Sequence, residues 1–315
     1  MIPVAFITDA GFLMQTGVAI TSLIRNKNND TVYDIFVIVS FHDENKINRL
    51  KSIPLDGSRL TVIYASTEKY NDIKQHSHIP IACLLKFDLC ELIGGYDKIL
   101  YVDGDVYIRG DLTRAYYTDL GDAHIGGVKS LEMCDSDQRL INAGVVLFNA
   151  KKMREDHMSK YLIQKRREQG DSGSMDQRVM NMVFGDEMVF LSYEYNCVAN
   201  QIVDYPKQYT IQRLNSLYDT DYQSVENFLD NALIIHFASG SKPWKHSFLY
   251  GGDEWYKCYK TSVFSDDLIR RKGRFRVRVD AFFSAIKEEG IRGIGSRISH
   301  YAERITGKSK VGRWG

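Results

Sequence analysis

Apolar segments alternate with amphipathic ones over the first hundred residues. Short runs of β-branched and aromatic residues predict buried strands at 3–7, 33–39, 60–64 and 97–102. Between these runs, apolar residues recur at helical spacing in 12–24, 43–53 and 79–93. Strands that alternate with helices in this order predict an α/β fold, in which a mostly parallel central sheet is flanked by helices.

The second half of the chain is less regular. Strands are predicted at 144–149 and 232–236, and helices at 151–168, 175–184 and 253–263. A turn is predicted at 170–173. The last of these helices is expected to close the compact body of the protein.

The composition narrows the class of protein. The chain has 315 residues, of which 44% are hydrophobic and 26% charged, and this excludes disordered and collagenous classes. Its five cysteines are far apart and form no C-x-x-C pair, so neither a disulfide framework nor a zinc cluster is indicated. The first apolar run is too short for a signal peptide, and no apolar stretch reaches membrane-spanning length. We therefore expect a cytoplasmic protein that is soluble or peripheral to a membrane.

A net charge of +1 conceals an asymmetry between the body and the C-terminus. Residues 270–315 contain 13 Lys and Arg against 4 Asp and Glu, a net charge of +9, so residues 1–269 carry −8. A mildly acidic body does not suggest a nucleic-acid partner, whereas a short basic end suits an anionic surface. We predict a compact domain over 1–267 and a basic extension over 268–315.

Acidic residues follow two strands of the predicted sheet. Thr8 and Asp9 follow the first strand, and Asp103-Gly104-Asp105 follow the fourth, so these residues should face a common crevice. Two carboxylates joined by a glycine that lets the backbone turn are hard oxygen ligands that suit Mn²⁺ or Mg²⁺. For the tripeptide alone, a solvated turn is the alternative interpretation.

A second candidate element lies at 234–244. His236 follows a buried strand and offers an imidazole ligand, while the loop Ser239-Gly240-Ser241 and the ammonium of Lys242 suit a phosphate. The alternative is a hydrogen-bonded structural histidine and a loop anchored by Pro243 and Trp244.

Two further groups carry residues suited to sugar binding. Asn142-Ala143-Gly144 precedes a strand, and Ser174-Met175-Asp176-Gln177 begins a helix. Small residues let a sugar approach the backbone, and Asn, Asp and Gln hydrogen-bond to hydroxyl groups in fixed directions. Equally, Ser174 and Gln177 have the spacing of a helix capping box.

In this order, the motifs resemble those of family 8 glycosyltransferases, the retaining sugar-nucleotide enzymes of the bacterial lipopolysaccharide galactosyl- and glucosyltransferase type. The resemblance runs from Ile2 to about Trp244. The segments that carry it are Thr8-Asp9, His78-Ile79-Pro80, Tyr101-Val102-Asp103-Gly104-Asp105, Asn142-Ala143-Gly144, Asp176-Gln177, and His236 with Lys242-Pro243-Trp244. It implies the GT-A fold.

The resemblance also implies roles for single residues. Asp103, Asp105 and His236 would bind Mn²⁺, or Mg²⁺ in its place. Asp9 would lie against the uracil and ribose of UDP, Lys242 would hold the diphosphate, and Asn142, Asp176 and Gln177 would surround the donor sugar. Asp176 and Gln177 are the candidate catalytic residues, and the further candidate positions for donor binding are Thr8, Gly104, Ala143 and Gly240.

Two departures from the family pattern affect donor binding. The family usually has a second acidic residue, an Asn and an aromatic after Asp9, whereas this chain leaves only Phe12 to stack on the base. The family's diphosphate and ribose arginine is replaced by Lys86, which keeps the charge but not the bidentate geometry. We expect weaker donor binding as a result.

The candidate residues and the family resemblance together imply a metal-dependent retaining hexosyltransferase. Its donor would be UDP-glucose or UDP-galactose, and its acceptor a glycan or glycolipid such as lipopolysaccharide. Because the amide of Gln177 is a poor nucleophile, front-face transfer is favoured. The alternatives are a nucleotidyltransferase or a sugar-nucleotide binding protein without transfer activity. Residues 204–230 either line the acceptor side or are ordinary surface.

The basic C-terminal end has a helical pattern. A run of basic residues at 270–278 precedes an apolar stripe at Ile291, Ile294, Ile298, Tyr301 and Ile305. A basic amphipathic helix of this kind predicts that residues 270–310 contact an anionic membrane surface, namely the inner face of the cell membrane. The alternatives are that the stripe packs on the body or on another subunit.

Overall fold

A computed structural model describes residues 1–73, 80–170 and 176–277. Within these ranges the strands are β1 (Ile2–Thr8), β2 (Tyr33–Val39), β3 (Arg59–Tyr64), β4 (Lys98–Val102), β5 (Val106–Ile108), β6 (Ile125–Lys129), β7 (Ile141–Asn149), β8 (Val189–Leu191) and β9 (Ile234–His236). Seven of them form one sheet in the order β3-β2-β1-β4-β7-β6-β8. Only β7 runs antiparallel to its neighbours in this sheet, so the predicted mostly parallel sheet is confirmed.

Helices cover both faces of the sheet. They are α1 (Leu13–Asn26), α2 (Glu44–Lys51), α3 (Leu89–Leu92), α4 (Thr113–Tyr116), α5 (Ala150–Glu155), α6 (Met158–Glu168), α7 (Gln177–Phe184), α8 (Ala199–Asp204), α9 (Ile211–Tyr218), α10 (Val225–Asp230) and α11 (Gly252–Lys260).

Two apolar cores lie on opposite faces of the sheet. Along β4, Leu100 and Val102 belong to one core, and Ile99 and Tyr101 belong to the other. Each such side chain contributes about 1.5–3 kcal/mol when fully buried, so a strand buried on both faces is held firmly. This rigid strand carries the D-x-D tripeptide at its carboxyl end.

The predicted helix at 79–93 is wrong in its winding. After Pro80 the chain forms a 3₁₀-helix over Ile81–Asp88 and only then the short α3. The spacing of apolar residues did not predict the 3₁₀ winding. The segment also directs the polar side chains of Lys86 and Asp88 into the protein, where both form ion pairs. Tertiary contacts of these polar groups favour the tighter winding.

Two other predictions for the second half need correction. The helix predicted at 151–168 is divided into α5 and α6 by His157, whose φ of 52° lies in the left-handed region. The strand predicted at 232–236 is shortened to β9 and lies outside the large sheet. It pairs antiparallel with β5, which the sequence patterns did not predict because that strand has only three residues.

Residues at the start of the predicted C-terminal extension contact the preceding part of the chain. Arg271 donates hydrogen bonds to the carbonyl of Gly252 at 3.1 Å and to Asp253 at 3.0 Å. The side chains of Leu268 and Phe275 are exposed, at 99% and 81%. In the part of the chain that the structure describes, no helix combines the length and apolar character needed to cross a membrane.

Several predictions fall outside the described residues. They are the family segment at His78 and Ile79, the turn at 171–173, the capping residue Ser174 with Met175, and the amphipathic helix at 291–305. The predicted boundary between 1–267 and 268–315 therefore stays a prediction.

Candidate active site

Asp103, Asp105 and His236 lie together beyond the carboxyl end of β4. The pairing of Val106 in β5 with His236 in β9 brings the histidine beside the D-x-D tripeptide. Its Nε2 is 3.3 Å from Asp105 Oδ1 and 3.7 Å from Asp103 Oδ2. The potential ligand atoms of all three residues lie within 4.8 Å of one another. Carboxylate oxygens and an imidazole nitrogen fit Mn²⁺ or Mg²⁺.

Asp105 is held by two cationic or polar partners. Its Oδ2 accepts a hydrogen bond from the ammonium of Lys242 at 2.6 Å, and Lys242 also donates to the carbonyl of Phe237 at 2.6 Å. Burial acts to raise the pKa of Asp105, but His236 and Lys242 outweigh it and hold the pKa well below its usual range. Asp105 is therefore available as an anionic ligand.

Asp103 has a different environment. The hydroxyl of Tyr101 donates to its Oδ1 at 2.6 Å, and the ammonium of Lys86 is 3.6 Å away. Burial raises the pKa of Asp103, Lys86 opposes this, and the nearby negative charge of Asp105 raises it further, so the pKa lies above its usual value.

Lys86 connects the acidic cluster with the predicted sugar residues. Its ammonium donates to Asp176 at 2.5 Å and to the carbonyl of Ala143 at 2.9 Å. Burial acts to lower its pKa, but Asp103 and Asp176 together raise it above the usual value, so Lys86 is charged. Its implied contact with the diphosphate stays a prediction, since its ammonium here lies between two carboxylates and is almost fully buried.

Asp176 and Gln177 at the start of α7 are both anchored to the beginning of β7. The carboxylate of Asp176 pairs with Lys86, and the side-chain oxygen of Gln177 accepts the backbone N–H of Ala143 at 3.1 Å. The oxygen of Gln177 is thus engaged with β7, while Ser174, its partner in the alternative capping box, lies outside the described residues.

The two glycines of the site are explained by close contacts. A Cβ on Gly144 would lie 2.2 Å from Cε1 of His236, so this position leaves room for the imidazole ring. A Cβ on Gly104 would lie 2.4 Å from Thr16 Oγ1, and its φ is not positive, so close approach of α1 determines this glycine. These contacts are enough to explain why both positions are glycine. The role of the small residues in the approach of a sugar stays a prediction.

A cavity beside the cluster is lined by several of the residues predicted to bind the nucleotide. It is lined by Thr8, Asp9, Phe12, Tyr101, Cys83, Asp103, Gly104 and Asp105, among others. Asp9 Oδ1 accepts the backbone N–H of Gly11 at 2.8 Å and of Phe12 at 2.9 Å, and so fixes the turn into α1.

Phe12 also joins the two halves of the predicted nucleotide site. Its ring meets Trp244 edge to face at 5.5 Å, so the first strand's turn contacts the Lys242-Pro243-Trp244 loop. In the same loop, a Cβ on Gly240 would meet no atom within 4 Å, so that glycine faces open space.

Sequence reasoning missed Asn196. This residue is 2% exposed, and its Oδ1 lies 2.8 Å from Nδ1 of His236. Its Nδ2 donates to the carbonyl of Asn142 at 3.1 Å and to Oδ1 of Asn142 at 2.9 Å. Asn196 belongs to no recognisable motif, so the sequence carried no signal for it.

An α/β sheet of this order, with a carboxylate and imidazole cluster at its carboxyl edge, agrees with the GT-A fold of glycosyltransferases. The chain belongs to glycosyl transferase family 8, since the model of that family matches residues 3–247.

Known proteins similar to this chain agree with that assignment. It is 26% identical over 293 residues to a lipopolysaccharide 1,2-glucosyltransferase of Escherichia coli strain K12, covering 84% of this chain and 79% of that protein. Among solved structures, the galactosyltransferase LgtC in complex with donor and acceptor sugar analogs superposes with a TM-score of 0.70 at 21% identity, over 83% of this chain and 96% of that one. The glycosyltransferase GlyE of Streptococcus pneumoniae TIGR4 superposes with a TM-score of 0.61 at 22% identity, over 90% of this chain and 64% of that one.

Proposed function

We propose that the protein transfers a hexose, glucose or galactose, from a UDP-sugar to a glycan or glycolipid acceptor such as lipopolysaccharide. Transfer would retain the anomeric configuration and require Mn²⁺ or Mg²⁺ held by Asp103, Asp105 and His236. The observation that carries the proposal is the convergence of these three residues, with Lys242 beside them, at the edge of a GT-A sheet. The glucosyl- and galactosyltransferase relatives support the choice of sugar.

The residues around the cluster suit a leaving diphosphate. When bound, a divalent ion stabilises the negative charge that develops on the leaving phosphate. Lys242 pairs with Asp105 at the cluster and is the group that would hold the diphosphate there. A fixed electrostatic contact of this kind is typically worth about 3 kcal/mol at the transition state. Phe12 and Trp244 would enclose the base.

The sugar side of the site favours front-face transfer. Gln177 is a weak nucleophile, and Asp176 is neutralised by a 2.5 Å ion pair with Lys86, which lowers its nucleophilicity. The departing phosphate oxygen would then accept the acceptor's proton. Among the described residues, Nδ2 of Asn142 has no protein partner, so it is free to donate a hydrogen bond to a donor hydroxyl.

The test is the release of UDP from a panel of UDP-sugars in the presence of MnCl₂. We expect release from UDP-glucose or UDP-galactose, loss of it with chelator, and retained configuration in the product. Unchanged turnover in the presence of chelator would contradict the metal assignment. Binding of UDP-sugars without any turnover would instead support the sugar-nucleotide binding alternative.

The start of the basic extension supports contact with an anionic membrane. The backbone N–H of Lys272 donates to Lys245 at 2.7 Å, so the extension begins close to the Lys242 loop. Phe275 and the basic side chains at 270–276 would then bring a lipid-linked acceptor to the site.

The full chain is changed at three positions together, by Arg270→Glu, Arg274→Glu and Phe275→Ala. We expect this triple variant to bind vesicles containing phosphatidylserine at least about fivefold more weakly. Each basic residue near an anionic surface adds about 1 kcal/mol. The measurement is vesicle co-sedimentation, with neutral phosphatidylcholine vesicles and Lys51→Glu as controls. Equal binding by the triple variant would disprove the membrane contact.

A further inference from the structure

A buried chain of hydrogen bonds runs from the cluster to the predicted sugar residues. It begins at Nδ1 of His236, passes through the side chain of Asn196 and ends at Asn142. His236 and Asn196 are 3% and 2% exposed, so water does not compete for these bonds.

Backbone groups determine the direction of every bond in this chain. The N–H of Gly144 can only donate, so the atom of Asn142 that it meets at 3.0 Å is the amide oxygen. The carbonyl of Asn142 can only accept, so Asn196 turns its NH₂ toward Asn142. The oxygen of Asn196 must then face His236, and Nδ1 of the ring carries the proton.

Because Nδ1 carries a proton, Nε2 is the ring nitrogen that can offer a lone pair to a cation at the cluster. Nε2 is the atom that faces Asp103 and Asp105. A lone pair beside two carboxylate oxygens needs a cation among them, which is either a proton on Nε2 that bonds to Asp105 Oδ1 or a metal ion in its place. The arrangement therefore suits a metal ion and gives Asn196 a reason to be there.

The backbone holds Asn196 and His236 in fixed relation. The N–H of His236 donates to the carbonyl of Cys197 at 2.9 Å, and the N–H of Cys197 donates to the carbonyl of Ile234 at 2.9 Å. On its other side the imidazole fills the space left by Gly144. The ring is thus enclosed by the Asn196 side chain and by β7.

We propose that Asn196 is a positioning residue, which orients His236 for the metal ion and connects the metal ligands to Asn142. The inference rests on the proposed metal site. Loss of an outer hydrogen-bond partner of a ligating histidine typically weakens metal binding about 10- to 100-fold. Asn196→Ala removes the acceptor for Nδ1 and is expected to weaken binding by at least about tenfold.

The experiment is titration of the full-length protein with MnCl₂, without nucleotide, followed by electron paramagnetic resonance of free Mn²⁺. Asn196→Asp retains an oxygen for the Nδ1 proton, but it replaces the donors to Asn142 with an oxygen and adds a negative charge. We expect its Mn²⁺ affinity to remain within about threefold of the natural protein. Equal, large losses in the Ala and Asp variants would show that the acceptor for His236 is not what matters.

Asn200→Ala is the matched control. Asn200 is 3% exposed and bonds to the backbone of Tyr250 rather than to a residue of the cluster. Asn200→Ala should lower the melting temperature as Asn196→Ala does, but it should leave the Mn²⁺ affinity unchanged. A similar loss of affinity in both variants would assign the effect to general stability and overturn the proposal.

The inference and the proposed function fail in different ways. If the natural protein binds no Mn²⁺, the metal site itself is wrong. If the natural protein binds Mn²⁺ and Asn196→Ala binds it equally well, only the role of Asn196 is refuted.

Discussion

The two carboxylates of the D-x-D tripeptide differ although they share one cluster. Burial raises the pKa of both, but the net pKa of Asp105 is lowered and that of Asp103 is raised. The difference arises because His236 lies closer to Asp105 and Lys242 pairs with Asp105 alone, whereas Lys86 is shared between Asp103 and Asp176.

This contrast shows where positive charge is lacking. Three carboxylates, Asp103, Asp105 and Asp176, are accompanied by two ammonium groups, Lys86 and Lys242. The unbalanced negative charge lies in the space between Asp103 and Asp105, nearer to Asp103. A divalent ion in that space would balance this negative charge. The contrast between the two acids can therefore be tested by substitutions near Asp105 and by substitutions near Asp103.

The largest effect is expected from the Asp105 side. Asp105→Asn removes an anionic ligand and leaves Lys242 without its carboxylate, so metal-dependent turnover should fall by about 1,000-fold or more. Steady-state UDP release at saturating MnCl₂ measures this loss. Asp72→Asn, which breaks an exposed ion pair with Arg167, is the control and should keep full turnover. An active Asp105→Asn enzyme would rule out metal ligation by Asp105.

A smaller effect is expected from the Asp103 side. Lys86→Met leaves two partly buried carboxylates without their shared cation, which should lower the free energy of unfolding by about 3 kcal/mol and weaken UDP-sugar binding. Chemical denaturation and calorimetric titration measure the two effects.

Lys98→Met is the control for Lys86, since Lys98 contacts the carbonyl of Thr118 and an aromatic ring but supports neither acid. Unchanged donor affinity in Lys86→Met would mean that position 86 has no part in donor binding.

Displacement of His236 affects both acids at once. In Gly144→Ala the new Cβ would clash with the imidazole ring, so Mn²⁺ affinity should fall by about tenfold. Gly94→Ala adds a Cβ where no atom lies within 4 Å and should bind Mn²⁺ normally. The same titration measures both, and normal binding by Gly144→Ala would show that the ring can move without loss.

The smallest effect is a difference in the sign of pH dependence. The ionised Asp105 stabilises the metal-free protein above its usual pKa of 3.8, and this stabilisation is lost as the pH falls. The raised pKa of Asp103 means that its ionisation disfavours the folded state as the pH rises above 3.8.

Stability differences between the natural protein and Asp105→Asn or Asp103→Asn should therefore change in opposite directions as the pH passes through the usual carboxyl pKa of 3.8. Urea denaturation below and above this pH measures them. Parallel pH dependence in the two variants would remove the contrast.

The first half of the fold was predictable because its signals are local. The strands at 33–39 and 60–64 and the helix at 12–24 have the apolar spacing of the elements that the structure contains. The antiparallel direction of β7 was not predictable, because alternation of buried residues does not encode strand direction. The three-residue β5 was too short to show a period at all.

The candidate site was only partly accessible from sequence for the same reason. Asp103, Asp105 and His236 each stood in a motif, and the pairing of β5 with β9 brought them together. Asn196 stood in none, since its function depends on what lies opposite it in space.

The amino-acid sequence by itself determined the α/β class, the strands that end at the crevice, and the kinds of side chain that a metal ion and a phosphate would require. Those properties follow from hydrophobic periodicity and residue chemistry, which act over neighbouring positions. Only the tertiary structure decided which side chains share a proton, a cation or a steric gap. These interactions act over a few ångströms in space, between residues that can be a hundred positions apart in the chain.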